Sequence, residues 1–359
     1  MRQCPKKVIN GPCGGYRGVS CEVNGECIFM KVLSNRSVKE LRELFSSVVL
    51  DERFKIKDYL PVLRRPLTRF MKSLTRDDNK LIIYEVFLSI SNDLGRALND
   101  LKSIAGSDVV YALTDSPLGV LTFDPLALAL MLKDHVNVLD FILNISMRNK
   151  TVENIVRYVM TATNMGLRNL LIVTGDWSKE FENSFTLDST RAVYLLRLLS
   201  DLGLNINGEI ITVPQYIHLG VASNPESDYT SIEVFKSVRK ILAGAEFIIT
   251  QPIYDVNKFK EYLNGLHNET IRDVPIVPAF APIVSEKHLR IAESLGVKVN
   301  RKDLIEVLRT GDMDSIINKN VELLQEILDT IKDVKAVYLS TYGNLNLGKM
   351  FINILRKVL

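Results

Sequence analysis

The sequence predicts an α/β fold: a (β/α)8 TIM barrel preceded by a small cysteine-rich, metal- or cluster-binding module and a helical arm. Two observations predict it. From residue 81 onward, eight short and almost continuously apolar runs alternate with helical patterns, as expected of parallel strands covered on both faces. Before that, Cys4, Cys13, Cys21 and Cys27, all the cysteines of the chain, lie among Gly11, Gly14, Gly15, Gly18 and Gly25. So short a glycine-rich stretch has almost no apolar core of its own and needs something to wrap. The expected division is a module over residues 1–35, an arm over 36–78 and a barrel over 79–359.

A chain of 359 residues with 47% hydrophobic and 24% charged residues can bury a large core and is expected to be globular. Its net charge of +3, without a concentrated basic face, argues against a nucleic-acid partner. No apolar run approaches the ~20 residues that span a bilayer. The opening MRQCPKKVINGP is polar and broken by prolines, unlike the core of a signal peptide. A cytoplasmic protein without membrane or nucleic-acid partners is therefore expected. In a reducing compartment clustered thiols read as metal ligands or redox groups rather than as two disulfides. The gaps of eight, seven and five residues contain no CxxC knuckle, which favours a [4Fe–4S] cluster over zinc.

Ser37 and Glu40 form an S-x-x-E capping box that opens a helix over VKELRELFSSVVL. From Arg53 to Arg76 the cations Arg53, Lys55, Lys57, Arg64, Arg65, Arg69, Lys72 and Arg76 interleave with Phe54, Leu60, Leu63, Leu67 and Phe70. This reads as an amphipathic arm lying on the barrel, the other reading being a docking surface for an acidic partner such as ferredoxin. Strands are expected at 81–88, 108–113, 137–144, 169–175, 216–222, 247–251, 274–280 and 335–341. Helices are expected at 93–105, 125–134, 151–165, 188–202, 230–243, 255–265, 285–294 and 345–357, with one long helical stretch over 301–332. No GxGxxG or Walker loop follows any strand, so the rival architecture, a nucleotide-binding open sheet, lacks its usual support.

Barrel sites gather at the C-terminal ends of the strands, and the polar residues placed there are the candidates. Glu85 lies in the first strand within Tyr84-Glu85-Val86-Phe87, where apolar neighbours make the charged form costly and suit the carboxyl to proton donation near neutral pH. Thr114 and Asp115 follow the second strand, Thr174-Gly175-Asp176 the fourth, Ala222-Ser223-Asn224-Pro225 the fifth and Thr250-Gln251 the sixth. Each alone is ordinary turn chemistry; together they supply an acid, an acidic anchor and several hydrogen-bonding groups. His135, His218, His267 and His288 lie far apart and read as structural or surface residues. Trp177 is read either as a cover for a planar ligand or as loop packing.

GLRNLLIVTGD (166–176), LGVASNPE (219–226), AGAEFIITQPIYD (243–255) and VPIVPAFAPIVS (274–285) resemble the consecutive signatures of 5,10-methylenetetrahydrofolate reductases, over residues 81–359. CPKKVINGPCGGYRGVSCEVNGEC resembles the cysteine-rich module of the small subunit that accompanies this reductase in some anaerobes. The resemblance implies a flavin across the barrel mouth, FAD ahead of FMN, passing hydride to the methylene carbon of a 5,10-methylenetetrahydropterin to give the 5-methyl product. It implies Glu85 as the acid that opens the imidazolidine ring, Asp176 as the residue that holds the pterin near the flavin, and Gln251 as the amide on the pterin edge. It sets Thr114 near the flavin, Ala222 and Asn224 in the cofactor-contacting turn, and Lys240 at the flavin's phosphate side. It makes Cys4, Cys13, Cys21 and Cys27 the ligands of an iron–sulfur cluster or zinc. The implied partners are a folate or methanopterin-type carrier and NAD(P)H or a ferredoxin-type donor, in a homo-oligomer or a complex with an electron-transfer subunit. The chain departs from the pattern at Thr174, where many members have arginine although a TGD subgroup also exists, and at Met147 in ISMRNKT, where an acid is common. Two other functions compete: a non-catalytic barrel subunit that scaffolds an electron-transfer complex through its metal centre, and a zinc thiolate site for methyl transfer. The second is disfavoured because four cysteines close the coordination that catalysis would need open.

Overall fold

The computed structural model describes the whole chain except residues 1–3, 24, 47, 58, 60–64, 78, 214, 271–272 and 295–296. Leu60, Leu63 and Arg64 of the expected arm lie outside the described residues. The module carries the hairpin strands β1 (Tyr16–Arg17) and β2 (Ser20–Cys21) and the helix α1 (Met30–Leu33); α2 (Val38–Leu44) and α3 (Arg69–Thr75) follow. The barrel strands are β3 (Leu81–Val86), β4 (Val109–Leu113), β5 (Asp140–Ser146), β6 (Asn169–Val173), β7 (His218–Ser223), β8 (Phe247–Pro252), β9 (Ile276–Phe280) and β10 (Ala336–Leu339). They close into a parallel barrel in sequence order, with β10 paired to both β3 and β9. The helices between them are α4 (Leu94–Ile104), α5 (Pro125–Lys133), α6 (Val152–Asn164), α7 (Ser189–Leu202), α8 (Thr230–Leu242), α9 (Val256–Glu269) and α10 (Glu286–Ser294). Next come α11 (Lys302–Thr310), α12 (Met313–Leu328) and α13 (Leu345–Val358).

All eight expected strands are present, and two expected helices differ. The 301–332 stretch is two helices because Gly311 takes φ +71 and ends α11, a left-handed cap that glycine adopts without a Cβ clash. The capping box of Ser37 and Glu40 forms, but α2 stops at Leu44. Beyond it, Val49 donates to Asn10 Oδ1 (2.9 Å) and accepts from Asn10 Nδ2 (3.1 Å), while the Phe45 carbonyl accepts from Arg239. These bonds to the module and to α8 replace the intrahelical ones that a longer helix would make.

Side-chain alternation along each strand divides the core in two. Leu81, Ile83, Val110, Ala112, Ile142, Leu171, Phe247, Ile249, Val277, Ala279, Ala336 and Tyr338 fill the barrel interior, and the alternate residues pack under the helices. The N-terminal end of the barrel is closed by α3, whose Phe70, Met71 and Leu74 join the interior cluster; Phe70 meets Phe247 edge-on at 5.2 Å between centroids. Thr68 Oγ1 donates to Asn169 Oδ1 (2.6 Å) and the Phe70 amide to Asp140 (3.2 Å), fixing the plug in register. Around it lies a buried ion network. Arg65 bridges Asp201 (3.3 Å) and Glu246 (3.0 Å), Arg197 also pairs with Glu246, and His218 lies between Glu246 (3.2 Å) and the Pro66 carbonyl (3.1 Å). Burial opposes ionisation of Glu246, but Arg197, His218 and Arg65 outweigh it and hold the carboxyl down to about 2. The α3 end of the arm thus plugs the barrel; of the cations offered for docking, Arg65 is buried in this network, whereas Arg53 pairs with Asp51 and the Thr186 carbonyl at the surface.

At the opposite end, Glu226 accepts the Tyr254 and Asp255 amides at one oxygen, while its other oxygen has no partner among the described residues. Burial raises this carboxyl to about 7 from 4.5 despite the two amides. The fold therefore favours the protonated form, a contribution present in full below pH ~4.5 and lost as pH rises through ~7, in all about 3 kcal/mol. Thermal unfolding followed from pH 5 to 8 should show this decline, and Glu226→Gln, which keeps an amide acceptor, should flatten it. Phe70→Ala should cost roughly 3–5 kcal/mol in chemical denaturation by emptying the base of the barrel.

Candidate active site

Because the barrel strands are parallel, the C-terminal ends of all eight open on the same side. Glu85 follows Ile83 by two residues on β3 and so shares its inward direction. Its Oε2 accepts from the Tyr338 hydroxyl at 2.8 Å and its Oε1 from the Ser340 hydroxyl at 2.5 Å. Tyr338 and Ser340 alternate inward on and just past β10, the strand paired with β3. Among the described residues no cation pairs with Glu85. Burial therefore decides its proton affinity: the carboxyl lies above its ordinary range, and the Ser340 and Tyr338 hydroxyls lower it only in part. A neutral carboxyl keeps some exposure at the barrel mouth, the state a proton donor needs. The alternative of an outward-facing or cation-paired glutamate is not what the fold builds.

Three further polar residues stand at or just past the strand ends. Asn144, two residues beyond the inward Ile142, lies beside the Tyr338 hydroxyl and leaves its Oδ1 without a partner among the described residues. Gln251 follows the inward Ile249 where the pairing of β8 with β9 shifts register, an irregularity of the kind that re-aims a side chain; it makes no hydrogen bond among the described residues. Arg148, just past β5, is 8% exposed, and its Nη1 is likewise unpartnered. Sequence reading passed over Asn144, Tyr338, Ser340 and Arg148. The first three could have been found from spacing, since Asn144 and Ser340 each lie two residues beyond an inward position, Ile142 and Tyr338, as Glu85 does beyond Ile83.

The other expected residues are bound into the scaffold. Asp176 Oδ2 accepts the Leu118 amide at 2.7 Å; this carboxylate holds a turn in which Ser116, Leu118 and Gly119 take φ of 52, 56 and 73. Left-handed geometry at two non-glycine residues costs energy and persists only where something holds it. Thr114 is buried and donates to the Val86 carbonyl (3.1 Å). Lys240 donates to the Ala222 carbonyl (2.6 Å), and Asn224 is held through its amide to Glu233 (2.9 Å) and its Oδ1 to the Glu226 amide (3.2 Å). Trp177 stacks on Phe185 at 6.2 Å and 14°, so it packs within its loop. His218 belongs to the ion network at the base, and His135 and His267 are exposed.

The module sits on this same end. Lys6, 3% exposed, donates to the Gly175 carbonyl (2.6 Å), pairs with Glu22 and lies 5.4 Å above the Phe185 ring. Sequence reading missed it. Cys4 and Cys21 lie near enough to influence Cys27, which sits by the Phe29 and Met30 amides at the start of α1. Cys13 faces Lys6, Lys236 and Glu22, accepts the Gly15 amide (3.4 Å) and is pushed by burial up to about 11 as a free thiol. Amides aimed at sulfur suit thiolate ligands. Among the described residues, however, no three His, Cys, Asp or Glu side chains are placed to hold an ion.

The flavin that the likeness implies fits less well. Lys240, Asn224 and Thr114 already have protein partners. Beside Lys240 only about 20 Å³ remains between the module and α7 and α8, room for about one water. The phosphate-bearing arm of such a cofactor does not fit there.

A family model described as methylenetetrahydrofolate reductase matches residues 100–358, and one described as methylene-tetrahydrofolate reductase C terminal matches residues 1–55. Methylenetetrahydrofolate reductase 2 of Schizosaccharomyces pombe is 29% identical over 224 residues, 58% of this chain and 33% of that protein. Methylenetetrahydrofolate reductase (NADH) 1 of Arabidopsis thaliana is 25% identical over 173 residues, 46% of this chain and 29% of that protein. The matches thus span no more than a third of these relatives' lengths. A solved structure from Clostridium thermocellum, described as binding two copies of 5-methyl-5,6,7,8-tetrahydrofolic acid, shares the fold with a TM-score of 0.58. It is 18% identical, over 79% of this chain and 98% of its own.

Since the Tyr338 and Ser340 hydroxyls both lower Glu85, their removal in a Tyr338→Phe/Ser340→Ala variant should move its titration to higher pH. Infrared difference spectra of the carboxyl stretch across a pH series read that midpoint directly.

Proposed function

Because the chain belongs to the methylenetetrahydrofolate reductase family, we propose that it reduces a 5,10-methylenetetrahydropterin to the 5-methyl form, with Glu85 as general acid. The observation that carries this is a carboxyl held neutral by burial, oriented by Tyr338 and Ser340 at the barrel mouth. The substrate's five-membered ring opens when the departing nitrogen takes a proton, leaving an iminium on the other nitrogen. Glu85 supplies that proton. Hydride from NAD(P)H at the mouth then adds to the methylene carbon, which becomes the 5-methyl group as the nicotinamide is oxidised to NAD(P)+, and Glu85 regains a proton from solvent. Gln251 and the free Oδ1 of Asn144 offer an amide and a carbonyl to the pterin edge, whose N–H and carbonyl groups need both. Asp176 acts through the turn it holds, setting the wall of the mouth. The methyltetrahydrofolate bound by the C. thermocellum neighbour supports the substrate class, as do the names of the curated relatives. No step is assigned to a flavin.

In the same reading Cys4, Cys13, Cys21 and Cys27 hold an iron–sulfur cluster or zinc, supported by the amides directed at Cys13 and Cys27. A bound centre would supply electrons from a ferredoxin-type donor or, as zinc, only stiffness. Iron and sulfide in anaerobically purified protein would establish the former; zinc alone would establish the latter. The rival reading, a barrel that scaffolds an electron-transfer complex, draws on one observation, the engagement of Lys240 and Asn224 within the scaffold.

Glu85→Gln decides between them. It should lower NAD(P)H-driven turnover of methylenetetrahydrofolate or its methanopterin analogue by about 10²–10⁴-fold while leaving 5-methyl product binding within a few-fold. Near-normal turnover would remove Glu85 as the acid, and absence of turnover in the unaltered protein would favour the scaffold. The rate should fall as pH rises through the elevated pKa of Glu85, since the protonated form is the active one.

A further inference from the structure

The space in front of Lys240 is filled by the protein's own N-terminal module. The Ile9 amide donates to Asp188 Oδ2 (3.0 Å), and Asn10 Nδ2 lies 3.3 Å from both oxygens of the same carboxylate. Asn10 Oδ1 accepts from Arg239, and the Lys7 carbonyl accepts from Arg191 (3.0 Å). Asp188 is the N-cap of α7, a helix of 14 residues, and also accepts the Arg191 amide (2.9 Å). A helix N-terminus attracts anions through its free amides; here its own carboxylate, already bonded to the module, takes that place. Gly11 follows with φ +103, and a Cβ on it would lie 3.6 Å from Lys236 Cγ, so the chain turns against α8. Lys236 is neutralised by Glu233 (2.6 Å) and faces the Tyr16 ring at 5.5 Å. The basic residues of this face, Lys236, Arg239 and Lys240, therefore all have partners within the protein. The gap left among them is about 20 Å³, whereas pockets for cofactor-sized ligands are roughly 300–1,000 Å³.

We propose that residues 8–13 of the module occupy the place of a flavin's phosphate-bearing arm, so that the chain retains no FAD or FMN and any flavin it uses is held by its ring alone. The inference deepens the reductase reading and takes from it the kind of cofactor being excluded; the packing stands without it.

The test compares riboflavin, FMN and FAD on the anaerobically purified full chain. Flavin released by denaturation should amount to far less than one per chain. In fluorescence titrations the three should bind equally within about threefold, or not at all; an ordinary lysine–phosphate contact would favour the phosphorylated forms by about 10- to 100-fold. Lys240→Met should leave the order of the three unchanged. Stoichiometric FAD or FMN on the purified chain, or a preference for FAD that Lys240→Met abolishes, would overturn the proposal. Turnover with NAD(P)H is measured on the same preparation. Turnover with no bound FAD or FMN supports both conclusions, and its absence with the same flavin result removes the reductase reading while leaving the occupied pocket in place.

Discussion

A buried ammonium ties the cysteine-rich module to the mouth of the barrel. Lys6 comes from the cysteine-rich module, yet its donors end on the Gly175 carbonyl, in the turn that carries Asp176. An unpaired lysine at 3% exposure would be costly. Glu22 from the same module supplies the counter-charge, and burial, which opposes the charged form, is outweighed by Cys13 and Glu22 so that the ammonium stays protonated. The pair exists only when the module hairpin is folded and the barrel turn is in place. Asp176 in turn holds the left-handed Ser116–Gly119 turn through Leu118. Module, fourth barrel turn and second barrel turn therefore form one continuous wall, and the geometry of the mouth depends on the module's fold.

The two ends of the barrel use buried charge in opposite senses. At the base, Glu246 is surrounded by Arg197, Arg65 and His218 and is held ionised, which locks the arm across the strand beginnings. At the mouth, Glu85 meets only hydroxyls and is held neutral. Both carboxylates suffer the same desolvation; what differs is whether a cation is within reach. One arrangement yields a fixed structural anion, the other a proton that can leave.

Much of this was legible in the sequence. Eight apolar runs of strand length gave the barrel because parallel strands covered on both faces leave a signal that single residues do not blur. Glu85 stood out because a carboxylate among Tyr84, Val86 and Phe87 has few structural excuses. What the sequence hid was pairing across long separations. Tyr338 and Ser340 lie more than 250 positions from Glu85, and only barrel closure through β10 and β3 brings them together. Lys240 illustrates the converse: its position matched a family pattern, but the Ala222 carbonyl and the module that engage its surroundings could not be read from the local string. The length of α2 was misjudged for the same reason, since Asn10, far upstream, claims the backbone of Val49.

The departure at Thr174 then has a physical account. Thr174 borders the narrow gap together with Gly11, Cys13 and Lys240, and its hydroxyl lies 3.3 Å from that of Ser189 at the start of α7. The arginine found there in many relatives would extend its guanidinium into the volume that Val8 to Cys13 fill, bringing a further cation beside Lys6, Lys236 and Lys240. Close packing leaves no room for that side chain, and like charges at such separations in a dry site repel strongly. A short hydroxyl at 174 and a module seated on the barrel are thus two sides of one constraint.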